Sequence, residues 1–253
     1  MRLNKLILWA LIASGFFYGC KEPKQGQDNP EKPKIEAPAF TVSFSADSAY
    51  QYIQDQVDFG PRVPQSAAHA ECAYYLESQL NRFCDTGFIQ EATITHKGKA
   101  LPIKNIIGVF NPEATKRILL CAHWDTRPQA DEDEERPTEP ADGANDGGSG
   151  VGVLLEVARQ LSLQIPDEGV DIVFFDAEDM GDRMGRPETW CLGSQYWAKR
   201  PHKENYVARF GILLDMVGPE NPVFAIEGYS WQYAQPYVKK VWGTANKLGY
   251  GKY

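Results

Sequence analysis

Three apolar runs, each followed by acidic side chains, constrain the fold of this 253-residue chain more than any other feature. The runs are ILLCA at 118–122, VDIVFF at 170–175 and FGILL at 210–214. Nearly continuous apolar character is typical of strands that are buried on both faces of a sheet. Between the first two runs, apolar residues recur at helical spacing from Val153 to Leu161. Strands that alternate with helices predict an α/β fold, a three-layer α/β/α sandwich with a mostly parallel central sheet.

The segments around these runs predict further elements of the same sandwich. After the sequence GPRVPQS, apolar residues at helical spacing predict a helix that covers the sheet: Cys72, Leu76, Leu80 and Phe83. Two β-rich segments, at 89–95 and 103–110, predict strands before the first apolar run, and a short helix is expected at 194–199. The sequence contains no internal repeat.

Acidic and imidazole side chains follow the predicted strands at the point where each strand ends: His123, Asp125, Glu178, Asp179 and Asp215. Asp146 lies in the glycine-rich turn GANDGGSG, just before the predicted helix. Ligands of open α/β sheets bind at the carboxyl ends of the strands. Because clustered carboxylates repel one another, a protein that gathers them binds a cation or raises one pKa to make a general base.

Each of these residues also has an explanation without catalysis. A lone Asp146 would be a helix cap or turn aspartate, and Glu178-Asp179 would be a solvated acidic turn. Asp215 stands among apolar neighbours, where a carboxylate without a partner is costly, so we expect it to be paired or functional. His123 and Asp125 point the same way along an extended chain, which suits a metal ligand and its orienting carboxylate. His123 could instead hydrogen-bond Asp215 or Asp146 without metal.

The remaining histidines are expected to make surface or capping contacts. His69 lies on the predicted helix after residue 66, His96 in the turn ITHKGK and His202 in a loop with basic neighbours. None of them adjoins a strand end that carries a carboxylate.

The N-terminal region predicts export and anchoring. Residues 1–19 combine a basic start, an apolar stretch and a small-residue exit, as secretory signal peptides do. Cys20 follows directly, which resembles a bacterial lipoprotein signal in which this cysteine is acylated. Residues 20–39 predict a flexible tether, and 40–253 one domain. We therefore expect a bacterial cell-envelope protein that meets the membrane through its lipid anchor only, with an ordinary cleaved signal as the alternative.

Net charge limits the binding partners that we expect, and the cysteines limit the expected disulfides and metal sites. Loss of residues 1–19 would remove two cations and take the formal charge from −8 to −10, which argues against nucleic acid or an anionic surface as partner. Besides Cys20 the chain has four cysteines, whose pairing the sequence leaves open: Cys72, Cys84, Cys121 and Cys191. Cys121, inside ILLCA, is expected to be a buried thiol. A structural zinc is not expected, because the sequence lacks a CxxC or Cys/His zinc spacing.

The motifs, taken in order, resemble those of the M28 family of zinc aminopeptidases and glutaminyl cyclases. The resemblance runs from GPRVPQSAAH through HWD, GANDGGSGVGVLLEVAR, FFDAED and LGSQYWA to LLDMVG, over most of residues 58–218. It is closest to the bacterial glutaminyl-peptide cyclotransferases, through WDTRPQAD, FFDAED and TWCLGSQYWAK. This resemblance implies conversion of the N-terminal glutamine of peptides or proteins to pyroglutamate, with release of ammonia and one zinc ion.

The resemblance also implies roles for individual residues. Asp146 and Asp179 match zinc ligands, and Glu178 matches the acid/base. Asp215 matches a hydrogen-bonding catalytic carboxylate of cyclases, or a ligand of a second zinc in aminopeptidases. Trp190 could stack on the substrate glutamine side chain or simply pack.

His123 matches a ligand of that same second zinc, which cyclases lack, so His123 and Asp125 are expected to support the site in a cyclase. A two-zinc aminopeptidase would instead bind its second ion at His123. Metal stoichiometry separates these two alternatives.

The third ligand of the retained zinc would be a histidine after Asp215, and the sequence has no histidine after His202. We therefore expect the domain to lack its C-terminal part. The alternative is an inactive peptide-binding lipoprotein of the same fold, since two carboxylates alone should hold zinc weakly.

Overall fold

The computed structural model describes residues 42–182 and 184–253. The predicted signal peptide, the tether and Cys20 lie outside the described residues. The helices and strands follow one another in this order: α1 (Ala46–Asp58), α2 (Ala67–Phe83), β1 (Thr86–His96), β2 (Lys99–Phe110), β3 (Arg117–His123), α3 (Ser149–Leu163), β4 (Gly169–Phe175), α4 (Leu192–Lys199), β5 (Ala208–Leu213) and α5 (Gly228–Lys247).

Local chemistry explains where the first helices begin. The hydroxyls of Ser45 and Ser66 accept hydrogen bonds from the first-turn amides of α1 and α2. Serine is favoured at this position because it satisfies a backbone N–H that the helix leaves free. The predicted apolar stripe of α2 is confirmed, since Cys72, Leu76 and Leu80 are fully buried.

The sheet has five strands in the order β1-β2-β4-β3-β5. Strand β3 pairs in parallel with β4 and β5, whereas β2 pairs antiparallel with both β1 and β4. The predicted fold class is confirmed, but the described sheet is mixed rather than mostly parallel, with two of its four strand pairings antiparallel. The reason lies partly in Lys97 and Gly98, which have φ of 48° and 75° and close a tight turn between β1 and β2. Such a turn joins antiparallel neighbours, whereas parallel neighbours need a longer crossover.

Helices cover both faces of this sheet, which confirms the α/β/α sandwich. On one face α2 and α3 pack against the sheet, and α1 packs on α3. The core on that side includes Leu76, Leu154, Ile172 and Phe174. On the other face α4 contacts β2, and Trp197 packs against a cluster that includes Val173.

The parallel strands bring the predicted acidic residues to one edge. The register pairs His123 of β3 with Phe175 of β4, and Cys121 of β3 with Leu213 of β5. The residues that follow these strands therefore leave the sheet side by side. Ligands of open α/β sheets bind at this edge.

Two further findings concern the described part of the chain. None of its helices has the length and apolar character required to cross a bilayer. Its four cysteines are free thiols, and Cys121 is buried as expected. Burial raises the pKa of the Cys121 thiol to about 12, so this group stays protonated.

Candidate active site

The histidine that ends β3 is buried among three carboxylates. His123 Nε2 lies 2.8 Å from Asp146 Oδ1 and 3.5 Å from Asp215 Oδ1, and Nδ1 lies 3.5 Å from Asp125 Oδ1. These contacts lack the direction of good hydrogen bonds, so both ring nitrogens are buried without a hydrogen-bonding partner. Burial opposes charge on the ring, but the carboxylates outweigh it and raise the pKa of His123 well above its usual value.

A glycine allows Asp146 to approach this histidine. Gly147 has φ of 81°, and a Cβ at this position would stand 2.3 Å from the carbonyl oxygen of Asp125. Only glycine adopts this backbone without a side-chain clash. The glycine-rich turn therefore packs directly onto the chain that follows β3.

Asp215 follows β5 and has one partner in the site. Its side chain is 44% exposed and lies 3.5 Å from His123. The apolar neighbours did not bury it, because Leu213 and Met216 themselves point largely to solvent. The neighbouring His123 ring, 3.5 Å away, lowers the pKa of Asp215, so this group is ionised at neutral pH.

The turn that carries Glu178 and Asp179 is held by the carboxylate of Asp125. Asp125 is fully buried, its Oδ1 accepts from the Glu178 amide at 2.9 Å, and its Oδ2 accepts from the Asp179 amide at 3.2 Å. The sequence predicts that Asp125 orients His123, and this role stays a prediction. The structure shows that Asp125 fixes the backbone of the two acidic residues.

The carbonyls of the same turn are bound by the start of α4. The amides of Cys191, Leu192 and Gly193 donate to the carbonyl oxygens of the residues at 178, 177 and 176. Ala177 adopts φ of 52°, which is uncommon for a residue with a side chain. Contacts on both sides therefore hold the turn in an unfavourable backbone conformation.

Glu178 is half-buried, and one of its oxygens has a partner. The thiol of Cys191 donates to Glu178 Oε1 at 3.2 Å. Burial raises the pKa of Glu178, although His123 and the Cys191 thiol oppose this shift. A carboxylate whose pKa is moved toward neutrality can both accept and return a proton.

Asp179 is buried next to the other carboxylates. Burial, followed by the charges of Asp146 and Glu178, raises the pKa of Asp179 to about 7. Arg127 lies 3.3 Å from its Oδ1 and also forms an ion pair with Asp131. A bound cation would relieve the part of this shift that the neighbouring carboxylates cause.

One group of side chains has the spacing of a metal site. The ligand atoms of His123, Asp146 and Asp215 all lie within 4.8 Å of one another. The buried, unpartnered Nε2 of His123 provides the nitrogen that zinc favours, next to two carboxylate oxygens. Asp179 stands outside this group, so its assignment as a ligand stays a prediction. The residues present therefore fit a zinc ion.

Trp190 packs against the loop that leaves the site. The guanidinium of Arg127 lies 4.8 Å from the centre of its ring, and a Cβ on Gly181 would meet the same ring at 1.8 Å. These contacts show a packing role, and stacking on a substrate stays a prediction.

The structure corrects the expectation for the other histidines. His69 is buried and its Nε2 lies 2.9 Å from Asp176 Oδ1, His96 is buried, and the His202 side chain lies 3.3 Å from Asp171. Burial lowers the pKa of His96, which keeps that ring neutral at pH 7. Burial of His69 could have been predicted from its position in the apolar stripe of α2. It precedes Cys72 by three residues and Ala73 by four.

Comparison with known proteins identifies the family of this site. The sequence pattern of peptidase family M28 matches residues 105–251, which is more than half of the chain. The chain belongs to peptidase family M28. The matched region contains every acidic residue of the site, from Asp125 to Asp215.

Individual M28-like relatives divide into cyclases and exopeptidases. A glutaminyl cyclase from Tannerella forsythia is 55% identical with a TM-score of 0.80, and covers 84% of this chain and 75% of its own. A Zn-dependent exopeptidase from Parabacteroides distasonis is 53% identical with a TM-score of 0.81. The match covers 84% of this chain and 75% of the exopeptidase. A glutaminyl-peptide cyclotransferase from Drosophila melanogaster is 28% identical over 65% of this chain and 46% of its own.

The chain matches only part of the length of each of these proteins. The chain spans less than half the length of the first curated relatives it matches and about three quarters of the solved structures. The M28 family and its Zn-dependent exopeptidase neighbours point to zinc as the cofactor.

Proposed function

We propose that this protein is a zinc-dependent glutaminyl-peptide cyclotransferase that acts on peptides or proteins with N-terminal glutamine. The observation that carries the proposal is the hydrogen-bonded turn that presents Glu178, with its raised pKa, next to Asp179. The similarity to glutaminyl cyclases at more than half sequence identity supports the choice of substrate.

Glu178 is the group that moves the proton. The substrate α-amine attacks the side-chain amide carbon of the same glutamine, so the new C–N bond closes a five-membered ring and the bond to the amide nitrogen breaks. Glu178 takes the proton from the attacking amine and delivers it to the departing nitrogen, which leaves as ammonia. Because Cys191 binds Oε1, Oε2 is the oxygen left to face the amine. Attack within one residue gains much of its rate from proximity.

Asp146 and Asp179 are the proposed ligands of one zinc ion. When bound, zinc supplies a Lewis acid for the glutamine amide. Asp215, ionised and partly exposed, is placed to accept a hydrogen bond from a substrate nitrogen. Asp125 keeps Glu178 and Asp179 in place through their amides.

The test is release of ammonia from a glutamine-initiated peptide by the zinc-loaded full-length protein. Glu178→Gln should lower kcat by 10²-fold to 10⁴-fold, the usual contribution of a general acid or base. Glu113→Gln, at an exposed position outside the site, is the matched control and should keep wild-type turnover. Full turnover in Glu178→Gln would rule out the acid/base role.

One observation favours a second candidate, a two-zinc aminopeptidase. The ligand atoms of His123, Asp146 and Asp215 all lie within 4.8 Å of one another, and Asp179 does not belong to this group. In this candidate they hold an additional ion, with His123 as ligand. Two zinc ions per chain, together with free amino acids released from a peptide without N-terminal glutamine, would support the aminopeptidase and overturn the cyclase.

Anchoring through Cys20 and a location in the bacterial cell envelope are part of the proposal and rest on the sequence alone. Mass spectrometry of the expressed protein should find a lipid on Cys20. A Cys20→Ser variant should then lose its membrane association. Recovery of the wild-type protein without a lipid would exclude the anchor.

A further inference from the structure

A buried histidine stands behind the turn that carries the acidic residues. His69 is 2% exposed and its Nε2 lies 2.9 Å from Asp176 Oδ1, which is fully buried. The ring of His69 stacks on Trp124, with centroids 4.4 Å apart and planes 19° from parallel. Trp124 in turn donates from Nε1 to the carbonyl of Lys104 at 3.0 Å. Asp176 therefore fixes the edge of the imidazole through a polar contact, and Trp124 fixes its face by stacking.

Asp176 connects this histidine to the turn. Its Oδ1 also accepts from the amide of Ala177 at 2.7 Å, and its Oδ2 accepts from the amide of Lys104 at 2.6 Å. The backbone amide of Asp176 donates to Asn105 Oδ1 at 3.0 Å. One carboxylate thus joins helix α2, strand β2 and the first residue of the turn.

Ala177 needs such support. Its left-handed backbone is disfavoured for a residue with a side chain and persists only where the surroundings impose it. The bond from its amide to Asp176 lies immediately before the two amides that Asp125 holds. If Asp176 turns, Ala177 is free to relax, and the relaxation would redirect Glu178 and Asp179.

We propose that His69 is a positioning residue: through Asp176 it holds residues 177–179 in the backbone conformation that presents Glu178 and Asp179 to one site. His69 does not touch those two side chains itself. The kinetic consequence rests on the proposed function, whereas the effect on the turn rests on the described contacts alone.

Two substitutions separate the hydrogen bond from the packing. His69→Phe keeps an aromatic ring against Trp124 but removes the donor to Asp176, and His69→Gln restores a donor at about the reach of Nε2. In His69→Phe, amide hydrogen exchange of residues 177–179 in the metal-free protein should be at least about tenfold faster. With zinc bound, kcat should fall about tenfold or more, the usual effect of losing such a partner, with KM within about twofold. His69→Gln should recover most of both.

His202→Phe is the matched control. The side chain of His202 is 5% exposed and lies 3.3 Å from Asp171, a second buried carboxylate, which belongs to β4. Asp171 precedes Asp176 by five residues, about 16 Å along a strand. His202→Phe should lower thermal stability as His69→Phe does, while exchange at 177–179 and kcat stay at wild-type values.

The outcomes discriminate between the two proposals. Wild-type exchange at 177–179 in His69→Phe, or the same acceleration in His202→Phe, would overturn the positioning role. Faster exchange in His69→Phe, in a protein that releases no ammonia from glutamine peptides, would overturn the proposed function and leave the positioning role intact. If His69→Phe does not fold, His69→Asn, whose amide is too short to reach Asp176, takes its place.

Discussion

Single residues with left-handed backbones determine where the side chains of the site stand. Gly147, Ala177, Cys191 and Met216 all have φ near or above 48°, and each lies within two residues of an acidic residue of the site or contacts one. Gly147 has no space for a side chain, whereas the other three carry one and depend on neighbouring contacts. Such strain concentrates where function requires a particular geometry.

Gly147→Ala tests this requirement. The new Cβ would meet the carbonyl oxygen of Asp125, so we expect a loss of about 2 kcal/mol or more in the free energy of unfolding and weaker zinc binding. Urea unfolding and zinc titration measure the two effects. Gly98→Ala is the control, because Gly98 has φ of 75° but nothing within 4 Å of the new Cβ, so only about 1 kcal/mol should be lost. Equal losses in both variants would contradict a specific clash at Gly147.

The acidic limb of the pH–rate profile should follow the pKa of Glu178, and Cys191 should influence its position. Its thiol donates to Glu178, which favours the ionised carboxylate and so lowers the pKa of Glu178 against the effect of burial. Cys191→Ala removes the donor, and the limb should move to higher pH by about one unit or less. Cys191→Ser should keep the wild-type position. Cys84→Ala, which removes a thiol far along the sequence from the site, should leave the profile unchanged, and a shift there would argue for a general effect.

At the scale of elements, a second buried charge network stabilises the end of the sheet opposite the site. Asp171 of β4 binds Arg117 of β3 at 2.6 and 2.7 Å, and Tyr206 donates to it at 2.8 Å. His202 lies 3.3 Å from the same carboxylate and accepts from the indole of Trp197. This network joins two parallel strands to the segment that leads into β5.

Asp171→Asn should destabilise the protein and change its response to acid. Burial opposes ionisation, but His202, Arg117 and Tyr206 outweigh it and hold the pKa of Asp171 below its usual value. The stabilisation is therefore complete above the unfolded pKa of about 3.9 and is lost as pH falls through the lower folded value. We expect Asp171→Asn to lose about 3 kcal/mol at pH 7, and less difference from wild type near pH 2.

Chemical unfolding at both pH values measures this difference. Glu168→Gln, in an exposed pair with Arg209, should change stability by less than about 1 kcal/mol at either pH. A deficit in Asp171→Asn that persists unchanged at acidic pH would show that its charge is not the cause.

Local patterns predicted the elements better than their arrangement. The stripe of α2 and the apolar runs of β3 and β4 identified these elements, because burial of one helix face leaves a period in the sequence and burial of both strand faces leaves a continuous apolar run. The antiparallel pairing of β2 with β4 left no such local pattern, since it depends on contacts between distant segments. The same limit applies to the site: the ends of the strands were predicted, but the contact of His69 with Asp176 spans 107 positions.

At the scale of the whole molecule, the candidate metal site joins separate parts of the fold. Of the two proposed zinc ligands, Asp146 precedes α3 and Asp179 follows β4. An ion bound there would tie these elements together, and a ligand that binds only the folded state stabilises it by mass action.

Zinc should therefore raise the melting temperature of the metal-free protein, and a chelator should reverse the rise. The gain should be about 2.7 kcal/mol at a zinc concentration one hundred times Kd. Differential scanning fluorimetry with zinc, and with magnesium as the control ion, measures it. Magnesium should have little effect, because it needs near-octahedral coordination and gives up its water reluctantly, whereas zinc binds with fewer ligands. An equal shift with both ions would contradict a zinc site.

The turn at 176–179 also bears on the order in which the protein acquires its chemistry. Its backbone partners come from Asp125 after β3 and from residues 191–193 at the start of α4, and Asp176 itself is held by His69 of α2. A growing chain that has been synthesised only to residue 190 lacks the amides that bind the turn carbonyls. Its acidic residues therefore cannot yet take their places in the site. The site therefore needs Asp125 and residues 191–193 together, and a chain that lacks either of them should not release ammonia from a glutamine peptide.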